Sequence, residues 1–410
     1  MFTFFRNFIN QNLTLYRKSI KLNIQAETNI KTSSGLFYFK CHVTNSSHLK
    51  LHLLVEVREG RKIAKKIAGP FDNKIIGFHT HLLGVGNHDI KFSLYLNNKL
   101  IDEITQNITI QNPGGLFDKV QNALEKFGTP IIFEGVCDSS MYPYEDGDIK
   151  PWFDKPDANN HITKLLKNNS ISEYESNCLK QFVEDGYMVF ESLIDETLVG
   201  SVNKEIDDAI KLKFQDFTIG SSQRIEHLHF HYPNINKLFM DQRYRRMIDL
   251  IFGVKARPCQ TLTFVNGSQQ PAHQDLIYLT PFPAGYMCGT WIALQDVVEN
   301  SGELIVYPKS HRDKRIYMRD TGFKKITGNS DEFNSIIYPI WAEVAKKYKP
   351  YVYRPKKGDV LIWHENLLHG GSKRINESLE RRSMVIHSFA EGSVSYYDSS
   401  GAVAYMEAVI

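Results

Sequence analysis

Hydrophobic and polar positions change their period along this chain, and the change divides it. From about Ile20 to Asn112, apolar residues alternate with polar ones in short runs. Examples are LFYFKCHVTN (36–45), KLHLLVEVRE (50–59), DIKFSLYLNN (89–98) and EITQNITIQN (103–112). A period of two predicts strands with one buried face. Asn97-Asn98 and Asn45-Ser46-Ser47 supply turn residues between them. Several such strands at this spacing predict an antiparallel β-sandwich of immunoglobulin type over residues 1–112, read as a binding or docking module. His79 and His81 share a strand face there, but with no third ligand they read as structural.

Pro113-Gly114-Gly115 ends that pattern. A helical period follows in LFDKVQNALEKFG (116–128), with Leu116, Val120, Leu124 and Phe127 on one side. The stretch from Thr129 to Asn160 carries the acidic cluster Glu145, Asp146 and Asp148 without full calcium-loop spacing. Residues 113–170 are therefore expected to be a linker with one short helix and a solvated acidic loop. Residues 171–410 form the second expected domain. Ser172-Glu-Tyr-Glu caps a helix that stops at Gly186, and YMVFESLI (187–194) reads as a strand. Asp195 caps a helix over 196–214, and a third helix covers about 235–252, ending at Gly253. Beyond it the chain is strand-rich: TLTFVNG, HQDLIYLT, GTWIALQDV, GELIVYPKS, DVLIWHE and RRSMVIHSF. Helices first and then many strands predict a mainly β fold, a jelly roll with buttressing helices.

Composition narrows the classes. The 410 residues exceed one ordinary core, so two domains are expected. Hydrophobic residues are 42% and charged residues 23%, as in globular proteins. A formal charge of +3 is too mild to point to nucleic acid, and the basic stretch Arg58 to Lys66 reads as a solvated hairpin. Five scattered cysteines, never spaced CxxC, fit reduced thiols in a cytoplasmic protein. The start carries phenylalanines interrupted by Arg6, Asn7, Asn10 and Gln11, which does not read as a signal peptide but as an amphipathic first helix. No run is long enough to be read as a transmembrane segment.

The candidate chemistry lies in the strand-rich half. In HQDLIYL, His273 and Asp275 are two apart, so a strand would point both to one face. One imidazole and one carboxylate are part of a facial triad for a non-heme iron, whose third ligand must come from a distant strand. GDVLIWHENLLHGGS offers His364 and His369. Arg381 and Arg382 supply guanidinium forks suited to a carboxylate. His227, His229 and His231 alternate along HLHFHY like one strand near a cavity mouth, with Arg224 just ahead as a candidate for a substrate anion. His311 and His387 read as structural.

Several blocks in order carry a family resemblance: DGYMVFESLID, HQD, GTWIALQDVVENSGELIVYPKSHR, KKGDVLIWHENLLHGGS and NES followed by RRSMVIHSF. Together they resemble the phytanoyl-CoA dioxygenase family over roughly Ser170 to Phe389. The resemblance implies a double-stranded β-helix and an enzyme, a non-heme dioxygenase using Fe(II), 2-oxoglutarate and O2. It implies His273, Asp275 and His369 as iron ligands, with His364 not a ligand. It implies Arg381, rather than Arg382, on the distal carboxylate of 2-oxoglutarate, assisted by Ser372. Gln274 and Trp291 match positions that line the cosubstrate pocket. One departure is Lys309, which stands where the family's turn has glycine. The implied reaction hydroxylates an unactivated carbon of a small or carrier-bound substrate, with release of succinate and CO2; the appended sandwich suggests a glycan or lipid-linked one. Two other readings stand beside it: a cupin-type metalloenzyme that does not use 2-oxoglutarate, and a binding protein with the barrel as scaffold.

Overall fold

The computed structural model describes residues 20–404 except 27–28, 31–35, 45–48, 59–62, 80, 82, 111–114, 131, 133–134, 221–222, 324 and 327–329. The expected first helix, the Asn45-Ser46-Ser47 turn, Pro113-Gly114 and the tip of the basic hairpin lie outside the described residues. In the N-terminal part, β1 (Leu22–Ala26), β3 (Leu36–Val43) and β6 (Lys74–His79) form one sheet. The other runs in the order β2 (Asn29–Ile30), β8 (Lys99–Ile110), β7 (Gly86–Leu96), β4 (Leu51–Arg58) and β5 (Ile63–Ala68). The alternating apolar positions of both sheets meet in one cluster: Phe37, Phe39 and Cys41 from the first, Leu53, Val55, Phe92 and Leu94 from the second. Phe39 and Phe92 touch edge to face with centroids 4.5 Å apart.

Residues 115–170 are not the solvated linker expected. Helix α1 (Leu116–Phe127) buries Leu116, Val120 and Leu124, and Tyr142, Ile149, Phe153 and Ile162 join them in the main core. The aromatic residues of the loop explain the difference, since their area outweighs the acids between them. Tyr142 packs on Phe282 and Tyr396, and Phe153 on Phe182 and Tyr286. The acids serve locally: Asp146 accepts from the Asp148 amide, and Glu145 pairs with Arg319.

Further along come α2 (Ala158–Lys167), then α3 (Glu173–Asp185) with the expected Ser172/Glu175 capping box and a left-handed stop at Gly186. Strand β9 (Tyr187–Phe190) is shorter than expected because the Ser192 amide turns to the Asp359 carboxylate. Helix α4 (Glu196–Lys211) is capped by Asp195. The helix expected over 235–252 is two, α5 (Pro233–Phe239) and α6 (Gln242–Phe252), because the Asp241 carboxylate accepts from the Arg243 amide and starts a new N-terminus. A six-stranded sheet follows in the order β10 (Ile225–Glu226), β11 (Ala256–Phe264), β18 (Ser383–Ala390), β13 (Met287–Ala293), β16 (Val360–His364), β9. Opposite it stand β15 (Tyr351–Tyr353), β14 (Leu304–Val306) and β17 (His369–Gly371). A short pair, β12 (Thr280–Phe282) and β19 (Val394–Tyr396), and helix α7 (Asp331–Ala345) complete the mainly β jelly roll.

The large sheet is buried on both faces. Ile292, Ile362, Met384 and Ile386 enter the cluster shared with the helices. Trp291, Leu361, Trp363 and Val385, one residue out of phase, face the small sheet together with Leu304, Val306 and Tyr353. That inward face leads to the site.

The two parts meet along a buried seam. The His79 amide donates to the Ile132 carbonyl (3.1 Å), and its Nε2 lies 3.0 Å from the Tyr142 hydroxyl. His81 donates from Nε2 to the Gly392 carbonyl (2.8 Å) and stacks on Phe117. Burial pushes His79 down from 6.5 to about 3 and His81 to about 4. Both are therefore neutral when folded, whereas the unfolded chain takes up their protons near 6.5. Stability should fall as pH drops from about 6.5 toward 4, by about 1.4 kcal/mol per histidine per pH unit. Denaturant unfolding of the metal-free protein at pH 7 and pH 5 checks this. A midpoint that does not move would contradict the buried seam.

Candidate metal centre

Two backbone hydrogen bonds build the site. The His273 amide donates to the His369 carbonyl (2.8 Å), and the His369 amide donates to the His273 carbonyl (3.0 Å). This is one closely bonded antiparallel pair, so both side chains leave the sheet on the same side. Their rings lie 4.4 Å apart between centroids. The strand expected to run through HQDLIYLT stops there. Asp275 opens a single turn, Asp275–Ile277, because its carbonyl accepts from the Tyr278 and Leu279 amides at 2.8 and 2.9 Å. Gln274 between them is extended (φ −106, ψ 134), so the expected alternation still puts the carboxylate beside His273, and the turn begins only after it. Its Oδ1 is 3.6 Å from His273 Nε2 and 3.7 Å from His369 Nε2. The three residues are buried and their ligand atoms all lie within 4.8 Å of one another, the one such cluster among the described residues.

Every other polar atom of the three has a partner that sets the donor geometry. His273 donates from Nδ1 to the Pro271 carbonyl (2.9 Å), and His369 from Nδ1 to the Leu367 carbonyl (3.0 Å). A carbonyl only accepts, so both Nε2 atoms keep a lone pair facing the cluster. Asp275 Oδ2 accepts from Trp363 Nε1 (2.8 Å) and from His387 Nε2 (3.3 Å). His387 is held in that tautomer by Gln260, whose amide Nε2 donates to its Nδ1 (2.9 Å). Burial pushes His369 down to about 4, keeping the imidazole neutral. Burial would raise Asp275, but the neighbouring His369 and the hydrogen bond from His387 hold it well below the usual carboxylate range. Two Nε2 lone pairs with an ionised carboxylate suit a divalent cation, and a facial set of this kind leaves other positions open. The residues present fit an iron(II) ion.

The cluster opens into a cavity of about 400 Å³. Arg381 lines it and is only 2% exposed. Its Nε donates to the Gly302 carbonyl (2.9 Å) and Nη1 to the Ser383 hydroxyl, and it lies over the rings of Trp291 and Phe264 at 5.4 and 5.9 Å. No carboxylate among the described residues lies in ion-pair reach of it. Burial lowers it to about 10, partly offset by Glu303, so it stays charged at neutral pH. A buried cation of this kind calls for an anion in the cavity. Arg382 points the other way and pairs with Asp207 and Glu380.

Two expected pocket residues lie elsewhere. Gln274 does not line the cavity: its amide donates to Asn366 and its Oε1 accepts from Trp341. Ser372 does not assist Arg381: its hydroxyl donates to Glu303 (2.7 Å), and the hydroxyl on the guanidinium belongs to Ser383. Trp291 lines the cavity as expected. His364 is committed to Asp154 and to the Asn366 amide. His227, His229 and His231 do not form a strand; His227 has a left-handed backbone (φ 57) and starts a short turn, Leu228–Phe230. Lys309 takes the left-handed conformation (φ 74) that a glycine would, held by its amide on the Asp185 carbonyl. Trp363, His387, Gln260 and Ser383 are the residues whose roles sequence reasoning missed. Ser383 and His387 were within reach, since they share a strand face with Arg381.

Residues 182–383 match the family model described as phytanoyl-CoA dioxygenase (PhyH). The chain is 26% identical over 134 residues to the peroxisomal phytanoyl-CoA dioxygenase of Homo sapiens, covering 33% of this chain and 37% of that one. It is 21% identical over 254 residues to a probable phytanoyl-CoA dioxygenase of Caenorhabditis elegans, covering 58% of this chain and 75% of that one. The match thus spans little more than a third of the human relative. Among solved structures, the chain is similar to the non-heme alpha ketoglutarate dependent carbocyclase SnoK from nogalamycin biosynthesis, with a TM-score of 0.44, 15% identity, and coverage of 55% and 87%. EctD from S. alaskensis with 2-oxoglutarate and 5-hydroxyectoine has a TM-score of 0.41 and 18% identity, with coverage of 54% and 76%.

Trp363→Phe and His387→Phe each remove one donor from Asp275 Oδ2. Each should weaken iron(II) binding by about 10- to 100-fold while leaving the fold intact. Anaerobic metal titration with circular dichroism of the same samples reads both quantities. Unchanged affinity in both variants would show that the carboxylate needs no such support.

Proposed function

We propose that this chain, whose residues 182–383 form a phytanoyl-CoA dioxygenase family domain, is an iron(II)- and 2-oxoglutarate-dependent dioxygenase. It hydroxylates an unactivated carbon of a small or carrier-bound substrate and releases succinate and CO2. The observation that carries this reading is Arg381, a buried cation with no carboxylate partner among the described residues, lining the same cavity as the triad. A metalloenzyme that does not use a keto acid would have no need of such a cation there, which disfavours the cupin-type alternative. The same cavity disfavours a mere scaffold.

His273 and His369 through Nε2, and Asp275 through Oδ1, would hold the ion. When bound, iron(II) supplies the redox chemistry that couples oxidative decarboxylation of the keto acid to oxidation of a carbon–hydrogen bond. The chain's own residues orient and enclose. Arg381 holds the distal carboxylate of 2-oxoglutarate, with Ser383 and the Gly302 carbonyl fixing the plane of the guanidinium. Trp363 and His387 keep Asp275 Oδ2 turned away, so that one oxygen faces the cluster. Leu262, Phe264, Leu304 and Val385 line the cavity with apolar surface and exclude water from the reacting centre. The location proposed is cytoplasmic, supported by five buried cysteine side chains with no disulfide.

Arg381→Gln removes the charge and keeps the size of the polar head. Loss of one partner of a buried pair costs about 3–5 kcal/mol, so the KM for 2-oxoglutarate should rise by about 100-fold or more. Iron(II) affinity should not change. Succinate release by the iron-loaded protein, together with metal titration, tests the pair of outcomes. An unchanged KM, or no dependence on 2-oxoglutarate in the unaltered protein, would contradict the reading.

A further inference from the structure

The cavity holds a second cation that the cosubstrate does not account for. Arg224 lines it near Tyr278, far in sequence from Arg381. Its Nε donates to Glu226 Oε1 (2.8 Å), and neither Nη group has a partner among the described residues. Glu226 is itself fixed, since its amide donates to Gln215 Oε1 and its carbonyl accepts from Gln215 Nε2. The carboxylate therefore aims the guanidinium by one edge and leaves its Nη edge open. The neighbouring segment is anchored too: Gln223 Nε2 donates to the Ser268 carbonyl (3.0 Å), and the His227 amide to the Thr261 carbonyl (2.9 Å). His227 lines the same cavity, and its buried Nδ1 has no partner. Tyr278 lines the same cavity.

Resting on the dioxygenase reading above, we propose that Arg224 is a specificity residue that binds an acidic group of the primary substrate, a carboxylate or a phosphate, with Tyr278 and His227 as neutral neighbours. The substrate is then anchored at its acidic end by the open Nη edge, and the carbon to be oxidised lies between that edge and the metal triad. The two cations divide the anions of the reaction: Arg381 takes the keto acid and Arg224 takes the substrate. An acidic group gives the open Nη edge charge-assisted hydrogen bonds without displacing Glu226.

The test uses the full chain loaded with iron(II) and saturating 2-oxoglutarate under argon, read by the visible charge-transfer band of that complex. The probes are heptanoate, hexyl phosphate and hexanol, which share a hexyl chain and differ in the head group. At least one acidic probe should perturb the band at about tenfold lower concentration than hexanol. Which acid is stronger separates the carboxylate from the phosphate. In Arg224→Gln the acidic preference should disappear while the band and the affinity for 2-oxoglutarate persist, and Arg224→Lys should restore part of it. An acid that bleaches the band instead of shifting it is displacing the keto acid and counts against the proposal. Equal binding of all three probes, or a preference that survives in Arg224→Gln, would overturn it. If no band forms at all, the dioxygenase reading itself fails and this inference falls with it.

Discussion

The pair of reciprocal hydrogen bonds between the main chains of His273 and His369 is the constraint on which the site depends. It joins segments almost a hundred residues apart and fixes their register. A slip of one residue would turn one imidazole to the opposite side. Once the register is set, the direction of both rings follows, and the carbonyls of Pro271 and Leu367 fix which nitrogen faces inward. Asp275 reaches the same point across the extended Gln274, and its carbonyl then closes the tight turn that ends the strand. Gly370, next to His369, has no room for a side chain: a Cβ there would lie 2.8 Å from the Gln270 carbonyl oxygen. Close approach of the two backbones is thus built into the sequence at the position where the ligands pair.

Buried charge is concentrated around this pair, and it is arranged in two layers. Facing the cavity are Asp275 and Arg381. Behind them Arg315 bridges Asp154 and Glu365 at 2.5 and 2.9 Å, and His364 lies 3.4 Å from Asp154. Glu365 also accepts from the Gly285 amide, and its carbonyl accepts from Leu276, next to Asp275. Burial would raise Asp154, but Arg315 and His364 hold it well below the usual range; burial raises Glu365 despite Arg315. Such a network adds little net stability compared with apolar packing, but removal of one member leaves an uncompensated charge. Its placement gives it a role: Asp154 comes from the 115–170 segment and Glu365 from the end of β16, so the network ties that segment to the strand that leads to His369.

Much of this was legible in the sequence, and the parts that were not have physical reasons. The period-two runs and the capped helices marked the elements, and the spacing His-x-Asp with a distant His-Gly-Gly marked the triad. The choice between His364 and His369 rested on resemblance; in the fold it follows from Asp154, which lies more than two hundred residues away in sequence and holds His364. The strand expected through HQDLIYLT failed because an apolar run does not reveal that Asp275 closes a turn. The motif points to Ser372 for Arg381, whereas period two along RRSMVIHSF puts Ser383 on the face that carries the guanidinium. The acids of 129–160 suggest a solvated linker, but Tyr142 and Phe153 between them carry that segment into the core. What sequence could not supply is the partner of each buried polar group, because those partners are long-range.

The most direct test of the account is a crystal structure of the full chain grown anaerobically with iron(II) and 2-oxoglutarate. The account predicts iron bound by Nε2 of His273, Nε2 of His369 and one carboxylate oxygen of Asp275, with the distal carboxylate of the keto acid on Arg381. Iron held by His364 or His387 instead, or a keto acid bound away from Arg381, would contradict it.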